Sequence, residues 1–381
     1  MTSPPPGTRS VRPAHAFDAP ALERYLASRI PGFRGPLAVW QYAGGQSNPT
    51  FLLQAASGDY VLRKKPPGAL LPSAHQVERE HRVMSALAGT GVPVPPCLAL
   101  CEDPSVIGTS FFVMAHVPGR ILWDPRLPGF SPADRRGLYD GMFDVLARLH
   151  AVDPATAGLG DFGRPGNYFA RQVARWTQQY EAARTEDVPG MTRLAAWLPE
   201  HIPPGDETAI VHGDFRLDNL IVHPEEPRIL AIIDWELATL GHPLADLAYA
   251  CLAYYITPTG QPRARRRAPL QPEAAAGAEP LPERGAFVEE AEPLQDEGIP
   301  PLDACVARYT ARTGRDPRPH WPFLIAFSLF RLARIAQGAY ARGLQGNASS
   351  TEALRYRDTA RSLAELAWEV VTEAPGQGLE A

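Results

Sequence analysis

The sequence has 381 residues, 45% of them hydrophobic and 21% charged, with a formal net charge of −5 at pH 7. This length is sufficient for two domains or lobes with a sizeable core, and the charge gives no reason to expect nucleic acid or a membrane as a partner. The N-terminus lacks the basic and apolar regions of a secretion signal, and no apolar run approaches the roughly 20 residues needed to span a bilayer. These features predict a cytoplasmic protein and make no prediction about its oligomeric state.

The first third of the chain has the pattern of a small mixed lobe over residues 17–117. Residues 1–16 are rich in proline, which predicts a disordered N-terminus. A helical pattern over 17–30 is followed by strand-like runs near 37–42, 49–55 and 59–64, whose spacing suits an antiparallel meander, and by a further strand that ends near 117.

One helix of this lobe places a carboxylate on an apolar face. Ser73 and Gln76 form a capping box that predicts a helix over 76–88, and Glu80 lies on its apolar face. A buried carboxylate needs a cation beside it. Arg63 on the preceding strand is the natural candidate, and the alternative is that Glu80 lies at the solvated edge of that face.

From residue 118 to 373 the pattern is mainly helical, with one segment that differs from it. Helices are predicted over 132–151, 166–185, 191–200, 243–256, 302–313, 321–343 and 351–373. Residues 258–297 contain an arginine run and then an acidic stretch rich in Ala and Pro, with few apolar residues, so a flexible insertion is predicted there. Residues 374–381 are expected to form a tail. The expected architecture is α+β.

The segment with the clearest chemistry is Val211-His-Gly-Asp-Phe-Arg-Leu-Asp-Asn219, followed after a short strand by Asp234-Trp-Glu. Transfer of a γ-phosphoryl group needs a base near the acceptor hydroxyl, and oxygen ligands for the Mg²⁺ ions that neutralise phosphate charge. Asp214 suits the first role, whereas Asn219 and Asp234 suit the second. The alternative is that these carboxylates only cap turns.

These motifs resemble those of the aminoglycoside phosphotransferase-like kinases, which are relatives of the protein kinases. The resemblance extends to Tyr42–Phe51, to Tyr60-Val-Leu-Arg-Lys-Lys-Pro-Pro67 and to the segment Phe327–Arg334. It is similar to one branch in particular, represented by the phosphotransferase domain of acyl-CoA dehydrogenase family members 10 and 11. The resemblance implies a protein-kinase-like two-lobed fold, with a small antiparallel-sheet N-lobe and a larger helical C-lobe. It also implies that ATP and Mg²⁺ bind between the lobes.

The resemblance also assigns nucleotide-binding roles in the N-lobe. Ser47, in a Gly-Gly turn between the first two strands, is expected to cover the phosphates. Arg63 stands where a lysine is common in the family and is expected to steady the phosphates with Glu80, although Lys65 remains an alternative. The backbone groups of Ala115 and Val117 are expected to hold the adenine.

In the C-lobe, His212 and Asp246 are expected to support the catalytic loop, and Arg216 is a second catalytic candidate beside Asp214. Arg331 and Arg334 lie one helical turn apart on an apolar segment, so they either pair with carboxylates or await an anion. They favour a small-molecule acceptor such as a hydroxy acid or its CoA thioester. Two alternatives remain, namely an aminoglycoside kinase and a non-catalytic nucleotide-binding scaffold.

Overall fold

The computed structural model describes residues 4–43, 48–66, 76–263, 291–345 and 353–373. The chain divides into two compact units that each combine separate segments. The first unit comprises Met1–Ile121, Val152–Phe162 and Asp218–Thr239, and the second comprises Leu122–Ala151, Gly163–Leu217 and Leu240–Ala381. The lobes expected from the sequence, 17–117 and 118–373, were continuous. The structure instead assigns two later segments to the first unit.

The first unit is built on a six-stranded antiparallel sheet in the order β1-β2-β3-β4-β6-β5. With labels in chain order, its strands are β1 (Thr8–Arg9), β2 (Ala38–Tyr42), β3 (Thr50–Ala55), β4 (Gly58–Lys64), β5 (Cys97–Cys101) and β6 (Phe111–Ala115). Strands β2, β3 and β4 pair as consecutive antiparallel neighbours, which confirms the predicted meander. Further along the chain, β7 (Arg120–Ile121), β9 (Leu220–Val222) and β10 (Ile229–Ile232) form a three-stranded sheet in the same unit.

The N-terminal segment differs from the disordered tail that the sequence predicted. From residue 4 onward it is described, and Thr8 and Arg9 form β1 by pairing with Tyr42 and Gln41. Gln41 also accepts a hydrogen bond from the N–H of Arg12 at 3.0 Å. The proline content misled the prediction because a two-residue edge strand carries no periodicity, and its partner lies more than thirty residues away.

The two faces of the sheet have different tasks because side chains alternate along a strand. One face packs Phe51, Leu62 and Phe111 against helix α1 (Ala19–Arg29), whose Leu22 and Leu26 are fully buried. Arg63, the next residue after Leu62, points to the other face, where helix α2 (Val77–Leu87) lies. The alternation of β4 therefore directs an arginine toward α2.

The second unit is mainly helical. Its helices are α3 (Pro132–Ala151), α4 (Tyr168–Ala183), α5 (Pro189–Glu200), α6 (Pro243–Ala250), α7 (Leu302–Thr313), α8 (Trp321–Leu344) and α9 (Tyr356–Thr372). Strand β8 (Ala209–Val211) pairs with β11 (Thr239–Gly241). Helix α8 is apolar over most of its surface, and its Phe323 and Phe327 pack against Phe169 of α4. Of the helices in the described part of the chain, none is long and apolar enough to cross a membrane.

The predicted flexible insertion, 258–297, is packed at both ends. Residues 264–290 lie outside the described residues, but Arg263 is only 4% exposed. It donates from Nε to the carbonyl oxygen of Ala253 at 2.9 Å and from Nη1 to that of Glu292 at 2.8 Å. Leu294 is buried as well. The prediction is therefore wrong at these ends, because an arginine that satisfies its donors with backbone carbonyls can be buried in a polar-looking segment.

Candidate active site

In the first unit, Arg63 joins two carboxylates that are distant in sequence. Its Nε lies 3.1 Å from Oε2 of Glu80 on α2, and its Nη2 lies 3.0 Å from Oδ1 of Asp234, which follows β10. The planar guanidinium can hold two carboxylates at once, which a lysine ammonium cannot do with the same geometry. Arg63 thus fixes Asp234 relative to the sheet and α2.

Glu80 is the most buried member of this group, with a side chain that is 1% exposed. Burial raises its pKa to about 7, although Arg63 opposes the shift and Asp234 and Glu236 add to it. Asn48 donates to Oε1 of Glu80 at 2.7 Å. Three carboxylates therefore surround one guanidinium, and the region carries excess negative charge when all of them are ionised.

Asp234 is held in an unusual backbone conformation. Its φ of 68° and ψ of 55° lie in the left-handed region, which costs a residue with a side chain about 1 kcal/mol. The preceding residue, Ile233, donates its N–H to the carbonyl oxygen of Asn219 at 2.9 Å, so the backbones of the two proposed metal ligands are joined. Strained backbone of this kind is concentrated at functional sites.

The oxygen atoms of Asp234 and Asn219 have the chemistry that Mg²⁺ requires. Mg²⁺ in kinases is commonly held by one or two carboxylates together with substrate phosphates and water. Within the described ranges, no group of three His, Cys, Asp or Glu side chains has the arrangement of a closed metal site. A carboxylate and an amide that share a metal with phosphate oxygens form the kind of donor set that is compatible with this finding.

The two lysines beside Arg63 have other partners. The Nζ atom of Lys65 lies 2.6 Å from Oε1 of Glu78, and Lys64 is buried beside the ring of Phe17. Burial lowers the pKa of Lys64. The geometry therefore favours Arg63 over Lys65 as the cation that faces Glu80 and Asp234.

The remaining nucleotide-binding candidates are less well defined by the structure. Ser47 lies outside the described residues. Ala115 ends β6 and donates its N–H to the carbonyl oxygen of Pro96 at 2.9 Å, so this N–H is not free for a nucleotide. Val117 lies two residues beyond the strand and is partly exposed.

In the second unit, the loop that carries Asp214 follows β8 and is held by hydrogen bonds to a side chain of α6. The N–H groups of His212 and Gly213 both donate to the Asp246 carboxylate, the second at 2.8 Å. The N–H of Asp214 donates to Nδ1 of His212 at 3.2 Å. Gly213 has a φ of 81°, which a residue with a side chain adopts only with strain. These contacts fix the conformation of the loop.

Asp246 is itself supported by a buried network. Burial opposes its ionisation, but hydrogen bonds from His150 and from the Gly213 N–H hold its pKa below the ordinary value. His150 Nε2 lies 3.4 Å from Asp246, and its Nδ1 lies 2.8 Å from the hydroxyl of Tyr309. The ionised Asp246 is therefore a stable acceptor for the loop.

Arg331 and Arg334 on α8 have different surroundings. Arg331 donates from Nη1 to the carbonyl oxygen of Gly213, and its guanidinium lies over the ring of Tyr249 at 4.8 Å. The buried Nε of Arg334 has no hydrogen-bond partner among the residues that the structure describes. Burial, together with the charges of Arg331, Arg175 and Arg342, lowers its pKa to about 10. Within the described part of the chain, neither Arg331 nor Arg334 forms an ion pair with a carboxylate.

A comparison with protein families decides the identity. The family model described as the phosphotransferase enzyme family matches residues 39–286 of the chain. The chain belongs to this phosphotransferase family. Its members act on hydroxyl groups, and the kinase-type enzyme class predicted from the sequence is confirmed.

Two proteins of 46% identity and one structure of lower identity resemble this phosphotransferase. Mouse acyl-CoA dehydrogenase family member 10 is 46% identical over 369 residues, which cover 97% of this chain and 32% of the mouse protein. The chain spans less than half the length of the curated relatives that it matches. A crystal structure from Ralstonia eutropha JMP134, named as that of an aminoglycoside phosphotransferase, is 46% identical to this chain and has a TM-score of 0.77. The match covers 94% of this chain and 100% of that one.

The more distant structure is that of a thermostable mutant of aminoglycoside phosphotransferase APH(4)-Ia in a ternary complex with AMP-PNP and hygromycin B. It is 14% identical with a TM-score of 0.56, and the match covers 93% of this chain and 100% of that one. This likeness shows the fold alone. Together with the Ralstonia structure, it confirms the α+β, protein-kinase-like fold and the resemblance found in the sequence.

The candidate site residues of this phosphotransferase are divided between the two units. The first unit contains Arg63, Glu80, Asn219 and Asp234, whereas Asp214, Arg216, His212, Asp246, Arg331 and Arg334 belong to the second. The division falls between Leu217 and Asp218, inside the loop itself. Three residues of these contacts were not predicted from the sequence, namely Asn48, Glu236 and Tyr249. Glu236 was visible in the Asp-Trp-Glu motif, but the other two are identified only by tertiary contacts.

Proposed function

We propose that this phosphotransferase is a Mg²⁺- and ATP-dependent kinase whose acceptor is a hydroxyl compound with an anionic group, such as a hydroxy acid or a hydroxyacyl-CoA. Membership of the family supports the phosphoryl transfer. The observation that carries the acceptor class is Arg334, a partly buried arginine whose charged neighbours are arginines. A buried cation without a counter-charge is costly, so its environment favours an anionic ligand.

The nucleotide-side roles rest on the group around Arg63. We assign Arg63, fixed by Glu80, to the nucleotide phosphates, and Asn219 and Asp234 to the metal. Mg²⁺, when bound, supplies neutralisation of the phosphate charge that develops during transfer. Because Arg63 contacts Asp234, we propose that the guanidinium shares its donors between this carboxylate and the nucleotide phosphates.

The phosphate-covering and adenine-binding roles of the other N-lobe candidates remain part of the proposal. Ser47 would place backbone and hydroxyl donors over the phosphates. Ala115 and Val117 would contribute backbone groups to the adenine. For Ala115 this leaves the carbonyl group, because its N–H is already donated to Pro96.

The acceptor-side roles rest on the loop after β8. Asp214 is proposed to orient the acceptor hydroxyl and take its proton, with Arg216 as a second contact to the transferred group. His212 and Asp246 keep the loop in position through the backbone hydrogen bonds described above. Arg334 is the better of the two α8 candidates for the acceptor anion, since Arg331 already donates to Gly213.

Two other functions are separated from this proposal by specific observations. An aminoglycoside is cationic and would be repelled by the arginines around Arg334. A non-catalytic nucleotide-binding scaffold would be expected to have lost at least one of Asp214, Asn219 and Asp234, and the chain keeps all three.

An acceptor panel tests the proposal directly. ADP release from MgATP is measured with short- and medium-chain hydroxy acids, with their CoA thioesters, and with kanamycin as an aminoglycoside. We expect turnover with at least one hydroxy acid or thioester and none with kanamycin. Efficient phosphorylation of kanamycin alone would show that the acceptor class is wrong. MgATP binding without transfer to any acceptor would favour the scaffold.

A further inference from the structure

Tyr249 is a buried tyrosine that no part of the proposed mechanism uses. It lies on α6, a helix whose eight residues are all buried, and it is 7% exposed. A buried tyrosine hydroxyl usually needs a hydrogen-bond partner. Its partner here is the side chain of Asp214, the proposed base.

The ring of Tyr249 is held in place from the other side. The guanidinium of Arg331 lies 4.8 Å from the ring centroid, and the same guanidinium donates to the carbonyl oxygen of Gly213. Arg331 therefore links the loop backbone, one residue before Asp214, to the ring that supports the Asp214 side chain. Both ends of this link lie in the second unit.

The same helix also fixes the loop backbone. Asp246, one turn before Tyr249, accepts the N–H groups of His212 and Gly213. Residues three apart lie on one face of a helix, so a single face of α6 contacts both the backbone and the catalytic side chain of the loop. This arrangement separates two tasks, with Asp246 placing the loop and Tyr249 orienting the carboxylate.

The hydroxyl of Tyr249 acts as a donor. Burial raises its pKa, and the negative charge of Asp214 raises it further, whereas Arg331 opposes the shift. Tyr249 therefore keeps its proton at neutral pH. A carboxylate has about four lone-pair sites that accept hydrogen bonds, so the Tyr249 hydroxyl and an acceptor hydroxyl can both bond to the Asp214 carboxylate.

We infer that Tyr249 is a positioning residue for phosphoryl transfer, which orients the Asp214 carboxylate so that one oxygen receives the proton of the acceptor. This inference rests on the proposed function. In the step concerned, the acceptor oxygen forms a bond to the γ-phosphorus while the bond from that phosphorus to the bridging oxygen breaks. The bridging electron pair leaves with ADP, and the hydroxyl proton passes to Asp214. Tyr249 exchanges no proton.

The test is Tyr249→Phe, which keeps the ring and its contact with Arg331 but removes the hydroxyl. Turnover is followed as ADP release from MgATP, with the fastest acceptor of the panel and with water alone. We expect kcat to fall at least about tenfold, since a hydrogen bond to a charged group is lost. The KM for ATP should stay within about twofold, because the change is confined to the acceptor side.

Tyr254→Phe provides a matched control. Tyr254 is also buried in the second unit, and its hydroxyl donates to the carbonyl oxygen of Pro300 at 2.7 Å. Both variants should lower the thermal unfolding midpoint by similar amounts, but Tyr254→Phe should keep kcat. Equal losses of kcat in the two variants would show that Tyr249 contributes only stability, and would overturn the inference.

A double variant separates the positioning role from the proposed function. Asp214→Asn should strongly reduce turnover, and adding Tyr249→Phe to it should change the residual rate by less than about twofold, because groups that act as a unit are not additive. If the two losses multiply, the inference is wrong. If Asp214→Asn alone retains normal turnover, the proposed function fails instead.

Discussion

Each unit contains a group of charged side chains whose charges do not cancel, and the two groups differ in sign. In the first, three carboxylates surround the single guanidinium of Arg63. In the second, the charged neighbours of Arg334 are Arg331, Arg175 and Arg342. One group therefore carries an excess of negative charge, and the other an excess of positive charge.

This difference indicates what each region is prepared to bind. Bringing charge into a protein interior without compensation is costly, so an imbalance that persists in the fold is compensated by a ligand or costs stability. A surplus of carboxylates suits a cation such as Mg²⁺, and a surplus of arginines suits an anion. We therefore expect variants of the two regions to affect different ligands.

The largest expected effect separates chemistry from nucleotide binding. Asp214→Asn should lower kcat by at least about 10²-fold, because a positioned base contributes roughly that much. The affinity for MgATP should stay the same, since Asp214 and the nucleotide-side group belong to different units. Steady-state kinetics and calorimetry would measure the two quantities. The exposed Asp303→Asn serves as a control for the charge change, and near-normal turnover of Asp214→Asn would remove this residue from catalysis.

The second-largest effect is expected among the carboxylates that surround Arg63. Asp234→Ala should reduce MgATP affinity to the level measured without metal, because it removes the proposed anionic ligand of Mg²⁺. Binding of metal-free ATP should be retained or improved, since Arg63 is released from its 3.0 Å contact with Asp234. Calorimetric titrations with and without Mg²⁺ give both values. An unchanged difference between them would show that Asp234 does not hold the metal.

Only some of the contacts in these two regions can be predicted from sequence patterns. The pairing of Arg63 with Glu80 was predictable, because strand alternation and helical periodicity placed each of them on the inner face. The contact of Arg63 with Asp234 was not, since it joins residues 171 positions apart. The same holds for Tyr249 and Asp214. Pattern identifies the face on which a side chain lies, whereas its partner depends on how distant segments pack.

A smaller effect is expected at Arg334, the arginine whose charged neighbours are other arginines. Its replacement should weaken acceptor binding and stabilise the fold. Arg334→Gln should raise the KM of the acceptor about tenfold and leave the KM of ATP within about twofold, as expected when one charged contact is lost. The same variant should raise the thermal unfolding midpoint, because it removes a partly buried guanidinium that has no carboxylate partner among the described residues.

Arg331→Gln is the matched comparison on the same helix. Arg331 donates to Gly213 and stacks on Tyr249, so its loss should lower the unfolding midpoint. If both arginine variants destabilise the protein equally, Arg334 has a structural partner and the charge imbalance does not indicate a ligand.

The smallest expected effect is a pH dependence within the second unit. Burial lowers the pKa of His242 to about 4 from an ordinary value of 6.5, and its Nδ1 accepts the N–H of Leu244 at the start of α6. The unfolded chain therefore binds more protons between these two values, and the free energy of unfolding falls as the pH drops from 6.5 to 4, by at most about 3 kcal/mol. His242→Asn keeps an acceptor for the helix start and should reduce that loss in urea unfolding at pH 7 and 5. An identical loss in the variant would instead assign the acid sensitivity to other groups that take up protons over this pH range.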